Sequence, residues 1–117
     1  MANTEALTPA ASPARRSRPD VVFERAELDK ILSLYGFFVA SGEWRDYAIG
    51  HDPEVAVFNI YRRTSEAPLY RIEKRPRLAK RQGAYAVVAM TGAILKRGHD
   101  LASVLKVFDR QKLKLAT

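Results

Sequence analysis

Apolar residues recur at helical spacing from Phe23 onward. Leu28, Ile31, Leu32, Tyr35, Phe38 and Val39 follow the i, i+3, i+4, i+7 rule and gather on one face. Glu24 and Glu27 suit the positive end of a helix dipole, and Gly42 fits the left-handed position just past a helix end. Leu34 and Phe37 widen the apolar face, so this helix is expected to lie against a sheet.

Three extended segments are predicted next. Residues 44–49 hold Trp44, Tyr47 and Ile49, and the following GHDPE supplies turn chemistry. Residues 55–62, VAVFNIYR, are apolar on both alternating faces, as in a central strand covered on two sides. After TSEAP, the segment LYRIEKR alternates Tyr70 and Ile72 with Arg71, Glu73 and Arg75. Pro76 then closes it, because proline has no N–H for the ladder. Together these read as an antiparallel meander with one basic edge.

A second long helix is predicted from about residue 77 to 97, with Leu78, Tyr85, Val88, Ala89 and Leu95 as its buried stripe and Gly98 as its stop. Gly83 and Gly92 would each cost it about 1 kcal/mol relative to alanine, a cost consistent with close approach to a neighbouring element. Asp100 is placed to cap a short third helix carrying Leu101, Val104, Leu105 and Phe108. The expected fold is α+β: a helix, a three-stranded antiparallel meander, a long helix and a short C-terminal helix. One domain over residues 21–110 accommodates it. Residues 1–20, with three prolines and Leu7 as the one large aliphatic, read as a disordered tail, and residues 111–117 as a basic C-terminal tail.

At 117 residues the chain suits a single domain, and 47% hydrophobic with 28% charged residues suits a folded one. Cysteine is absent, which removes disulfides, thiolate catalysis and thiolate-bound zinc and suits a cytoplasmic setting. No apolar run approaches the roughly 18 residues that span a bilayer, and no secretory signal is recognisable, so no membrane partner is expected.

Charge changes the picture more. Residues 1–60 carry 6 Lys/Arg against 9 Asp/Glu, and residues 61–117 carry 14 against 4, so a net +10 sits in the second half. The cations concentrate in RIEKRPRLAKRQGAY, at the junction of the third strand and the predicted second helix. Arg77, Lys80 and Arg81 would then occupy the first turn of a helix, where the dipole opposes cations. An external anion there would reverse the sign, with free N–H groups and three cations facing it. Arg71, Lys74 and Arg75 extend this patch, and Arg62 and Arg63 form a secondary one. The expected activity is non-catalytic binding of RNA or another polyanion through phosphate contacts. The alternative is a small adaptor or accessory subunit docking its basic half on an acidic protein partner. The structural reading of the same charges is a solvated basic face, balanced by Glu66, Glu73 and the acidic first half within one chain or across a homodimer.

Little else in the sequence suggests chemistry. Gly-His-Asp occurs at residues 50–52 and again at 98–100, and the two segments would form a zinc site only if they met. Turn and cap roles explain both more simply. Ser65 and Ser103 lack a nucleophile elbow, and no phosphate-binding glycine loop is present. Trp44, Tyr47, Tyr61 and Tyr70 could stack unpaired bases, although core and sheet pairing is the commoner use. No catalytic residues, cofactor or metal are therefore expected.

The segments GEWRDYAI and RRTSEAPLYRIEKRPRLAKRQGAYAVVAMTGAILKRGHDL, with the helix before them, resemble a small alphaproteobacterial family catalogued as a domain of unknown function. That resemblance spans about residues 22–108 and implies a bacterial cytoplasmic protein without implying an activity. A looser likeness of order and charge over residues 24–97 is to the double-stranded-RNA-binding domain, whose second helix begins with a basic cluster. Here residues 76–81, Pro-Arg-Leu-Ala-Lys-Arg, resemble that cluster in place and charge, and Ala84, Ala86 and Ala89 resemble the alanines of that helix.

Overall fold

The first helix forms where its apolar spacing predicts. In the computed structural model, which describes residues 18–63 and 66–116, α1 spans Arg25–Ala40 and Gly42 follows it at φ +85°. The buried stripe is turned slightly from the expected one. Ile31, Leu34 and Phe38 are buried, while Leu32 and Val39 remain exposed. Most of the expected N-terminal tail lies outside the described residues.

Next come β1 (Asp46–His51), β2 (Ala56–Tyr61) and β3 (Tyr70–Lys74), the expected meander. The strand β1 runs two residues further than its sequence suggests and takes in Gly50 and His51. Its turn is made by Asp52, whose carboxylate accepts the N–H groups of Glu54 and Val55 at 2.7 and 2.9 Å.

The long helix expected over residues 77–97 is not formed. A 3-10 turn (Pro76–Leu78) leads instead into two more strands, β4 (Tyr85–Ala89) and β5 (Ile94–Gly98). Five strands in sequence order therefore make one antiparallel sheet, where three were expected. Both glycines taken as costs to a helix are what forbid it. Gly83 and Gly92 have φ of +109° and +92°, a region no right-handed helix visits. Gly92 closes a three-residue hairpin loop, with its N–H on the Ala89 carbonyl at 2.8 Å and the Ala89 N–H on Ala93 at 2.8 Å. Ala86, Val87 and Val88 are buried consecutively, on both faces of a strand, and a short run of that kind cannot be told from a helical segment by periodicity. A register shift between Val87 and Val88 pairs them with Lys96 and Ile94, leaving Leu95 as an extra residue on β5.

After β5 come α2 (Leu101–Leu105), a second 3-10 turn (Lys106–Phe108) and α3 (Asp109–Ala116), so residues 111–116 of the expected basic tail are helical. Asp100 caps α2 as expected, accepting the Ser103 N–H at 2.9 Å. All three helices lie on one side of the sheet. There Phe38 stacks on Trp44 at 4.4 Å between ring centres, and Phe108 meets both edge-on. From the sheet, Phe58, Ile60, Ile72 and Val87 complete the core. Partners in register share a face, so the rows Asn59–Arg71–Val88 and Val57–Glu73–Ala86 belong to the opposite, helix-free side.

Candidate anion-binding site

The basic residues singled out from sequence are divided by strand alternation. Arg71 and Arg75 stand on the helix-free face on either side of Glu73, and both bond its carboxylate at 3.2 Å. Glu73 is only 5% exposed, so the pair of guanidinium groups compensates a carboxylate that would otherwise be buried alone. Lys74 points the other way, under α1. Its ammonium donates to Glu27 at 2.8 Å and to the Val22 carbonyl at 2.9 Å. Glu27 also accepts the Tyr85 hydroxyl and the Glu24 N–H. Burial pushes the Glu27 carboxyl up, but the bonds from Lys74, Tyr85 and Glu24 outweigh it and hold the group below its ordinary range. Burial and the Glu27 carboxylate push the Tyr85 phenol up to about 12. This cluster fastens α1 to the sheet, and Lys74 belongs to it rather than to a surface patch.

Arg77, Lys80 and Arg81 sit on the turn between β3 and β4, not on the first turn of a helix. The dipole expected to oppose them is absent, and so is the row of free N–H groups. What the turn forms instead is a cleft of about 300 Å³ lined by Glu54, Arg75, Arg77, Leu78 and Arg81. One Glu54 oxygen bonds Arg77 at 2.6 Å and the other bonds Arg18 at 2.6 Å. These two bonds, Arg77 first, hold the Glu54 carboxyl below its usual range. Lys80 and Arg81 are exposed and have no carboxylate partner among the described residues. On the same face Arg97, the register partner of Ala86, donates to the Gly83 carbonyl at 3.4 Å.

Sequence reasoning missed Glu54 and Arg97. Glu54 was within reach, because a meander returns the β1–β2 turn to the same end of the sheet as the chain leaving β3. Arg97 needed the hairpin. The secondary pair separates from the cleft altogether: Arg62 and Arg63 lie at the far end of β2, beside Glu43 and Glu66 at 3.5 and 3.6 Å.

The other candidates resolve as structure. His51 ends β1 and His99 follows β5, at opposite edges of the sheet, about 19 Å apart at the usual strand spacing. The two segments do not meet, and His99 bonds the Ala79 carbonyl at 3.0 Å. Among the described residues no three His, Asp or Glu side chains are grouped to hold a metal ion. Trp44, Tyr47 and Tyr70 lie on the helix side within aromatic contacts and Tyr61 alternates to the opposite face, so the four rings do not form one stacking row. No helix among the described residues is long and apolar enough to cross a membrane.

With the second helix replaced by a hairpin, the order helix, three strands, helix that resembled the double-stranded-RNA-binding domain no longer holds. No curated protein and no solved structure gives a match to the chain. One family model does match, over residues 21–105, from the segment before α1 to the end of α2. The chain belongs to that family, described as "Protein of unknown function (DUF2794)".

Proposed function

We propose that this domain is a non-catalytic binder of a polyanion, with RNA the favoured class, and that the cleft beside the β3–β4 turn is its point of contact. The observation that carries the reading is the charge of that cleft. Three guanidinium groups, Arg75, Arg77 and Arg81, line it against the single carboxylate of Glu54. Lys80 is on the same turn, and Arg71 and Arg97 continue the positive surface along the helix-free face. Guanidinium groups grip phosphate oxygens in pairs, and exposed ones exchange partners at little cost because surface ion pairs are weak. Contacts of this kind read shape and charge rather than bases. A cytoplasmic setting belongs to the same proposal.

One observation favours the alternative, docking on an acidic protein. In the middle of the helix-free face Glu73 offsets part of the charge of Arg71 and Arg75, and Val57 and the exposed Ile94 lie on the same face, a mixture of arginine and apolar surface common at protein interfaces. A salt series separates the two. Fluorescence anisotropy with a labelled RNA duplex should give a steep loss of affinity with salt. The triple variant R77A/K80A/R81A should weaken binding and flatten the slope by about one unit per cation removed. No binding to duplex or single-stranded RNA at low salt, together with a stoichiometric protein partner that survives nuclease during purification, would replace this reading with the adaptor.

A further inference from the structure

A second concave region lies at the opposite end of the sheet, and its chemistry differs from that of the cleft. One cavity of about 300 Å³ is lined by Phe38, Trp44, Leu69, Tyr70 and Leu115 together with Glu43, Arg62, Gln111 and Lys114. A second, of about 470 Å³, is lined by Val39, Gly42 and Trp44 together with Arg45, Arg62 and Arg63. Trp44 and Arg62 line both, so a hollow of mixed apolar and polar lining opens beside an arginine-lined one. Small-molecule sites combine these two features, an apolar body with a few fixed polar groups, in volumes of roughly 300–1,000 Å³.

The arginines here are loosely held. Arg62 and Arg63 reach Glu43 and Glu66 only at 3.5 and 3.6 Å, with 55% and 70% of their side chains exposed. Charge-assisted bonds are normally about 2.7–2.9 Å, and the Glu54 pairs are shorter still at 2.6 Å. Arg45 has no carboxylate partner among the described residues. Three cations thus converge on a hollow without a tightly bound anion, next to a cavity lined by aromatic and aliphatic carbon together with Glu43, Gln111 and Lys114.

We infer that this is a binding site for a small amphipathic anion, an aryl or acyl group ending in a carboxylate, sulfonate or phosphate. The apolar body would occupy the hollow bounded by Leu69, Tyr70 and Leu115, and the charged end would cross Arg62 towards Arg45 and Arg63. Leu115 lies on α3, so an occupant would also bridge the C-terminal helix to the sheet. This site is independent of the polyanion cleft, because the two share no residue.

The chain's sole tryptophan is in the wall of both cavities, which gives a local readout in the full-length protein. Anilinonaphthalene sulfonate should quench Trp44 emission saturably, and uncharged phenylnaphthylamine, which has the same rings, should bind about tenfold more weakly. R45A/R62A should reduce the sulfonate's affinity to that of the neutral compound, R62K should retain most of it, and R77A/R81A should leave it unchanged. The inference is overturned if Trp44 emission shows no saturable response, if both compounds bind equally, or if R45A/R62A binds the sulfonate as well as the parent. Since no nucleic acid is present, failure here leaves the polyanion reading untouched, and failure of that reading leaves this one standing.

Discussion

A β-carbon added to Gly83 would lie 2.2 Å from the carbonyl carbon of Gly98. The two glycines bring the start of β4 and the end of β5 into contact, just before the chain turns into α2. Gly83 also sits at φ +109°, where a side chain strains the backbone. Gly98 in turn has the Val104 side chain 3.2 Å from its own added β-carbon position, so the approach cannot relax outward freely. We expect Gly83→Ala to cost about 3 kcal/mol or more, from clash and backbone strain together. Gly92→Ala is the control. It has a similar φ, +92°, but open space around it, and should cost about 1–2 kcal/mol. Urea unfolding of the two variants measures both, and equal costs would mean that the Gly83–Gly98 contact is not made.

Those glycines also show where the sequence was readable. Close approach was expected at both and is found at Gly83 but not at Gly92, and at neither was the sign of φ legible, which decides between a helix and a hairpin. The residues between them mislead for a physical reason. A strand buried on both faces has no period of two to display, and Ala86, Val87 and Val88 satisfy a helical stripe equally well. By contrast, α1 was legible because it is amphipathic, and β2 and β3 because turn residues and Pro76 bound them. The basic cluster was legible as composition only. Adjacent strand residues point to opposite faces, so Lys74 left the patch that Arg71 and Arg75 kept.

Glu27 and Tyr85 give the domain a stability limit at each end of the pH scale. The folded Glu27 carboxyl titrates below its ordinary value of 4.5, so its contribution is present above that pH and is lost as acid protonates it. Tyr85 works in the other direction. Its phenol is raised from 10 to about 12 in the fold, so its contribution is full below pH 10 and disappears as pH rises through about 12. Tyr85→Phe should lower stability near neutrality by about 1 kcal/mol and remove most of the alkaline loss between those limits. Chemical denaturation at stepped pH tests both limbs, and an unchanged alkaline limb in Tyr85→Phe would show that another group causes it.

Lys74 and Arg81 should separate cleanly, although both carry the charge that drew notice in the sequence. Lys74 and Glu27 are each 13% exposed at the side chain. Lys74→Met would strand the carboxylate with less compensation and should cost about 1–3 kcal/mol. It should leave the RNA affinity of the folded protein unchanged. Arg81→Ala should do the reverse, with the melting temperature preserved and the affinity reduced. Thermal melts and anisotropy on the same samples decide it. Weakened binding by folded Lys74→Met would return that residue to the site.

Glu54 should act as an internal rival of the anion the cleft receives. Its two oxygens already hold Arg77 and Arg18 at 2.6 Å, so a phosphate reaching Arg77 must displace a carboxylate that is fixed in place by its own turn. Like charges meeting in the cleft add a further penalty. Glu54→Gln removes the negative charge while keeping the shape and one acceptor oxygen. It should therefore tighten binding of an RNA duplex and steepen its salt dependence, because a freed guanidinium can neutralise one more phosphate. Arg77→Ala in the Glu54→Gln background should cancel the gain, since the two residues act through one contact. If Glu54→Gln leaves affinity and salt slope as they were, the polyanion does not enter this cleft, and the remaining arginines of the helix-free face would have to carry the contact without it.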